Sequence, residues 1–175
     1  MTHNFMHVFK ESLAKIQGVA CWSVVAGKGT GSVINIGFGG KIKRDKPLLN
    51  RTLGEEERHF EAEYSLLVYC AWRLSHNGSV QCSWRDDNGH DGPMLKGLSL
   101  LKSSKLTAAQ FEADSFDLTF MFENGLRLDI FCDHSDPDEA EQNYILYTPQ
   151  KAFIVGVPSQ LVVEERKPHR LVLLV

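Results

Sequence analysis

The stretch from Phe116 to Asp133 constrains this chain most. Phe116, Leu118, Phe120 and Phe122 alternate with Asp117, Thr119 and Met121, and Asn124-Gly125 interrupts the run. Leu126, Leu128, Ile130 and Cys132 then alternate with Arg127, Asp129, Phe131 and Asp133. A period of two places one set on a buried face and the other on a mostly polar face. Asn-Gly supplies the backbone conformations a tight hairpin turn needs. A slip of one residue would turn the whole apolar set to water, so the register is fixed. The chain must therefore fold around an antiparallel hairpin with one covered face.

The remaining segments supply the cover. Phe5, Phe9, Leu13 and Ile16 recur at helical spacing between Asn4 and Gln17, and Gly18 follows as a stop. Val19–Ala26 and Val33–Phe38 read as strands around the glycine-rich turn 27–31, with Gly39-Gly40 ending the second. Residues 41–53 are basic, contain Pro47, and read as a long connection. Phe60–Leu74 is the longest strand-like run; Ser75-His76-Asn77-Gly78 turns it back into Val80–Trp84. Residues 86–93 read as an exposed loop, 97–103 and 105–111 as strands, and 133–141 as an acidic loop. Residues 143–147, 152–157 and 161–164 read as short strands, with 171–175 as a candidate last one. The expected class is α+β, an N-terminal helix packed on a mostly antiparallel, meander-like or partly rolled β-sheet. At 175 residues one domain is expected, with a division near residues 85–95 left open.

Composition excludes several function classes. The net charge of −3 supplies no positive field for general nucleic-acid binding. No apolar run approaches the eighteen or so residues of a membrane helix, and the first residues lack the basic and apolar regions of a secretory signal. Cys21, Cys70, Cys82 and Cys132 sit singly in apolar runs without the paired spacing of a zinc site. They read as free buried thiols in a reducing compartment, hence a cytoplasmic location. Cys70 and Cys82 flank a hairpin, so a disulfide between them is the alternative for that pair.

No catalytic or metal signature is complete, and no cofactor is expected. The turn Gly27-Lys28-Gly29-Thr30-Gly31-Ser32 lacks the spacing and the following helix of a phosphate loop. Residues 87–98 lack the final acidic ligand of a calcium loop, since Leu98 stands there. His3 and His7 are four apart but carry no accompanying glutamate. His59 lies between Glu57 and Glu61, which a strand would place on its own face. No serine or cysteine has a nucleophile's context.

Two sets of residues point to binding. Asp133, Asp136, Asp138, Glu139 and Glu141 form an acidic cluster suited to docking a basic protein. Phe131, among the polar neighbours Arg127, Asp129 and Asp133, is a candidate apolar anchor beside it. Lys28, Lys41, Lys43 and Arg44 form a candidate anion-binding patch for a phosphorylated compound. Self-association through an edge strand, giving a homodimer, is a third reading.

The run from Gly97-Leu98 through Asp117-Leu118-Thr119-Phe120-Met121-Phe122-Glu123-Asn124-Gly125-Leu126-Arg127-Leu128, closing near Tyr147 and Val155, resembles small bacterial β-rich proteins of unassigned function. Several of those look like immunity proteins that neutralise a secreted toxin. The resemblance spans about half of the chain and carries no catalytic residue. It implies a non-enzymatic inhibitor that binds a basic toxin domain. The alternative is a small-ligand protein or enzyme using the basic patch.

Overall fold

The computed structural model describes residues 2–134, 142–157 and 160–166. The expected strand at 171–175 lies outside them. In chain order the elements are α1 (Thr2–Lys15), β1 (Cys21–Val25), β2 (Ile34–Lys43), α2 (Glu55–His59), β3 (Phe60–Val68), β4 (Ala71–His76) and β5 (Ser79–Ser83). They continue with α3 (Pro93–Ser99), β6 (Leu106–Phe111), β7 (Leu118–Phe122), β8 (Leu126–Phe131), β9 (Gln142–Tyr147), β10 (Lys151–Gly156) and β11 (Gln160–Glu165).

The strands form two sheets rather than one meander. Sheet I is six-stranded in the order β1-β2-β3-β9-β10-β11, and sheet II is five-stranded in the order β5-β4-β8-β7-β6. All their pairings are antiparallel. Sheet II is one contiguous run of chain set between the two halves of sheet I. The boundary between sheets therefore falls at Tyr69-Cys70 and again after Phe131. No sheet boundary falls at residues 85–95, because β5 and β6 on either side belong to the same sheet.

The apolar run Phe60–Leu74 is long because it serves both sheets, β3 in one and β4 in the other. Ile36, Leu66, Leu146 and Phe153 face inward from sheet I, and Leu74, Leu128 and Phe120 from sheet II, all fully buried. Phe38 bridges the layers, its ring centroid 5.9 Å from Phe120 and 6.4 Å from Phe122. Phe9 of α1 lies 5.0 Å from Phe111 of sheet II and 5.4 Å from Phe153 of sheet I.

Three local readings change. Residues 97–103 do not form a strand: Pro93 opens α3, and Met94, Leu98 and Leu101 are buried at helical spacing. Gly97 is required there, because a Cβ would run into the Cys82 sulfur of β5. Gly39-Gly40 do not end β2. Gly39, at φ 78°, sits in a register shift between Phe38 and Lys41, and the strand runs on to Lys43. Finally, residues 55–59 are helical, so Glu57, His59 and Glu61 share no strand face: His59 pairs with Glu55 at 3.2 Å, and Glu57 with Lys102 at 3.0 Å.

Both Asn-Gly turns hold. Asn77 and Gly78 take positive φ between β4 and β5. After β7 only Gly125 does so, which gives the three-residue variant of the hairpin turn.

Candidate functional site: the seam between the sheets

The chain passes from sheet I to sheet II through Tyr69-Cys70, and leaves sheet II through Cys132-Asp133. Because β3 pairs with β9 and β4 with β8, the two crossings lie side by side. Asn143, 1% exposed, clamps them. Its Oδ1 accepts from the Asp133 amide at 2.7 Å, and its Nδ2 donates to the carbonyls of Asp133 and Gly156, each at 3.1 Å. Its own carbonyl accepts from the amides of Tyr69 and Cys70, at 2.9 and 3.1 Å. Five bonds through one buried residue leave little freedom at this joint.

Phe116 contributes a second tie. It holds a left-handed backbone, φ 63°, which bulky residues adopt only at a cost. Its carbonyl accepts from the Tyr144 hydroxyl at 3.0 Å and from the Cys132 thiol at 3.2 Å. The Cys132 thiol is held well above the usual range, first by its hydrogen bond with Cys70, then by burial, then by the charges of its neighbours. All four cysteines are free, and Cys70 neighbours Cys132 rather than Cys82. Such a thiol is a poor nucleophile.

Over this joint lies an open cleft of about 480 Å³ lined by Tyr69, Trp84, Phe131, Asp133 and Gln142, among others. Tyr69, Trp84 and Phe131 are 39%, 38% and 39% exposed, so each ring presents a face to solvent. Arg73 lies 5.4 Å over the Phe131 ring and Arg85 4.7 Å over Trp84. These cation–π contacts hold the rings in place without covering them fully. The polar face around Phe131 is organised as well. Asp129, only 6% exposed, accepts from Thr119 Oγ1 and Arg127 Nε, both at 2.8 Å.

Of the expected partner-binding residues, Phe131 and Asp133 line the cleft together. Asp136, Asp138, Glu139 and Glu141 lie outside the described residues. The segment that carries them leaves from Asp133 and returns at Gln142, both on the cleft wall. Tyr69, Trp84 and Phe131 belong, with Trp22, Tyr64 and Trp72, to the aromatic set of the sequence, of which most read as core and any left on an open sheet face as an interface anchor. Pattern alone does not separate the two kinds; the structure brings these three to one cleft.

The candidate anion-binding residues do not gather. Lys28 sits in the turn before β2, while Lys41, Lys43 and Arg44 lie at its far end, with the ten-residue strand between. Lys41 pairs with Glu56 at 2.5 Å and stands over the Trp22 ring. Lys43 is exposed. Arg44 donates to the Phe60 carbonyl at 3.1 Å and approaches Glu61 at 3.6 Å. The glycine-rich turn itself is tied down. Asn88 Nδ2 donates to the carbonyls of Gly27 and Gly31, and Trp72 Nε1 to that of Ser32.

His7 pairs with Glu11 at 3.3 Å, and the His3 side chain lies outside the described residues. Among the described residues, no three His, Cys, Asp or Glu side chains gather as a metal ion would need, and no helix is long and apolar enough to cross a membrane. Compared with protein-family models, with curated proteins and with solved structures, the chain matches none of them.

Proposed function

We propose that this chain is a non-enzymatic binding protein of the immunity-inhibitor type, which engages a basic protein partner across the seam cleft. The observation that carries the reading is the set of three half-exposed aromatic rings around one cleft that Asp133 also lines. Aromatic side chains held rigid by neighbouring arginines lose little entropy on binding and serve as interface anchors. Asp133 on the same cleft, and the acids that follow it in sequence, would attract a basic surface. The Asn143 clamp keeps the surface preformed. In the same reading α1, through Phe9, closes the open side of the two-sheet core, leaving the seam as the working face.

The test is capture from lysate of the native host, using wild-type protein and two variants. One carries Phe131→Ser with Trp84→Ser, and the other reverses Asp136, Asp138 and Glu139 to lysine. The expected result is one basic, stoichiometric partner held by the wild type, weakened by high salt and lost by both variants. A partner retained by both variants would place the interface elsewhere and end this reading.

A further inference from the structure

The outer face of sheet I carries a second feature, far in character from the cleft. Ser23, Gly37 and Ser65 stand opposite one another on β1, β2 and β3. Together with Ala62 they make a floor of small side chains where a sheet surface usually carries larger ones. Over this floor passes the connection from Arg44 to Gly54, together with α2. It is pinned rather than loose: the Leu48 amide donates to the Arg58 carbonyl at 3.0 Å, Arg58 Nε donates to the Leu48 carbonyl at 3.2 Å, and the Arg44 amide donates to the His59 carbonyl at 2.9 Å. Leu48 and Leu53 turn inward from it, whereas Leu49 between them is 94% exposed.

Between floor and cover a cavity of about 160 Å³ remains, walled by Val25, Val33, Leu67, Phe60 and Tyr69. The space opens partly to solvent, which gives a small molecule a way in. An apolar cavity of about 150 Å³ is enough to take up a benzene ring.

The polar groups around it define the ligand further. Ser23 and Ser65 are only 6% and 5% exposed, and both line the cavity. Among the described residues neither hydroxyl has a hydrogen-bond partner, and neither is sealed off from open space. Asn35, also on the wall, has its Oδ1 shut from solvent with no donor in reach. The Asn35 oxygen is thus closed to a guest as well, whereas the two serine hydroxyls open on the cavity and offer it hydrogen-bond partners. The charged groups of the lining, by contrast, are already answered. Arg44 faces Glu61, and Glu57 holds Lys102. One guanidinium and two carboxylates also make the lining unfavourable to an anion.

We infer that this cavity is a binding site for a small neutral molecule of ring size, mainly hydrocarbon, bearing a hydroxyl or amide that pairs with Ser23 and Ser65. Gly37 is part of the design. A Cβ there would stand 2.7 Å from that of Ala62 and 3.0 Å from that of Ser23, so only glycine keeps the floor low. The site shares one wall residue, Tyr69, with the seam cleft, and none of its lining belongs to the acidic segment.

The experiment is a titration of the full chain, labelled with nitrogen-15, with 4-ethylphenol and with its hydrocarbon counterpart ethylbenzene, read by amide chemical shifts. Saturable shifts confined to β1, β2, β3 and the 44–59 segment are expected for both probes, with 4-ethylphenol the tighter. Ser65→Ala, which removes only a hydroxyl, should weaken 4-ethylphenol about five- to tenfold and leave ethylbenzene unchanged. Val25→Phe, at the half-buried rim, should block both probes while the remaining spectrum stays in place. Absence of saturable shifts in the wild type would overturn the inference, as would shifts that persist in Val25→Phe. Equal loss of the two probes in Ser65→Ala would overturn the assigned role of the hydroxyls.

Discussion

Corresponding rows across the two sheets show how differently their outer faces are built. In sheet I, one row of cross-strand partners runs Val25, Asn35, Leu67, Ile145, Ile154, Val162. In sheet II, the comparable row runs Ser83, Arg73, Asp129, Thr119, Gln110. The second is what an antiparallel sheet presents to water: polar residues throughout, with Thr119 donating to Asp129 across neighbouring strands. The first is aliphatic almost throughout. It teaches that sheet II spends one face on the core and leaves the other solvated. Sheet I is apolar on both faces, and at one end its outer face is already roofed by the 44–59 segment.

The comparison breaks most directly at the contact between the sheets. Phe38→Ala and Phe120→Ala each remove a fully buried ring and should cost about 3–5 kcal/mol. The rings touch at 5.9 Å, so the double variant should cost less than the sum, by about 1 kcal/mol. Urea unfolding followed by tryptophan fluorescence and by circular dichroism should give coincident transitions for all three. Sheet II is contiguous in sequence; if it outlasted sheet I in Phe38→Ala, the two halves would be separate folding units and not two faces of one core.

At the seam, Asn143→Ala should cost about 2–3 kcal/mol, because it strands the Asp133 amide and the carbonyls of Asp133 and Gly156. Asn143→Asp should do little better, since the carboxylate cannot donate. Denaturant midpoints measure both. A cost under about 1 kcal/mol would mean that the two crossings hold their place without the clamp.

How much of this was legible tracks the same division. The β7–β8 hairpin could be read outright, because sheet II has one wet face and Phe116–Asp133 alternates accordingly. The turn at Asn77-Gly78 was legible for the chemistry of its backbone. In sheet I alternation fades: Leu66, Leu67 and Val68 are all apolar because both faces are covered or aliphatic. The run into Leu74 therefore hid a change of sheet. Gly97 obscured α3, since glycine weakens a helical pattern although here it gives Cys82 room. The cleft was half legible, through Phe131, Asp133 and an aromatic set that holds Tyr69 and Trp84 but does not tell them from core. Asn143 acts partly through its own backbone carbonyl, and the cavity floor draws Ser23, Gly37 and Ser65 from three strands. No local pattern marks either one.

Each sheet also carries a buried thiol that reports on it. Burial pushes Cys21 of sheet I up to about 12, against an ordinary value of 9.0, with Lys102 opposing. Burial and then Asp86 push Cys82 of sheet II up to about 12. The unfolded chain loses these protons first as pH rises, so it binds fewer protons than the native state between about pH 9 and 12. Stability should therefore be intact below about pH 9 and fall above it, by at most about 1.4 kcal/mol per pH unit for each thiol. Urea midpoints at about pH 8, 9.5 and 10.5 test this. Cys21→Ala and Cys82→Ala should each flatten the decline by a similar amount. A slope untouched by one of them would show that its sheet opens before global unfolding.

The smallest expected effect tests the contrast between faces most sharply. Val162, at the edge end of the aliphatic row, is 46% exposed. Val162→Lys should alter stability by less than about 0.5 kcal/mol, as surface substitutions away from buried features do. A lysine on an edge strand also discourages pairing with a second chain. If the row is open surface, sedimentation of wild type and variant should agree at low concentration, with any concentration-dependent association reduced in the variant. A loss beyond about 2 kcal/mol, independent of concentration, would mean that the row is covered by the chain itself. Sheet I would then be an inner layer rather than an outer one, and its apolar outer face would need no further occupant.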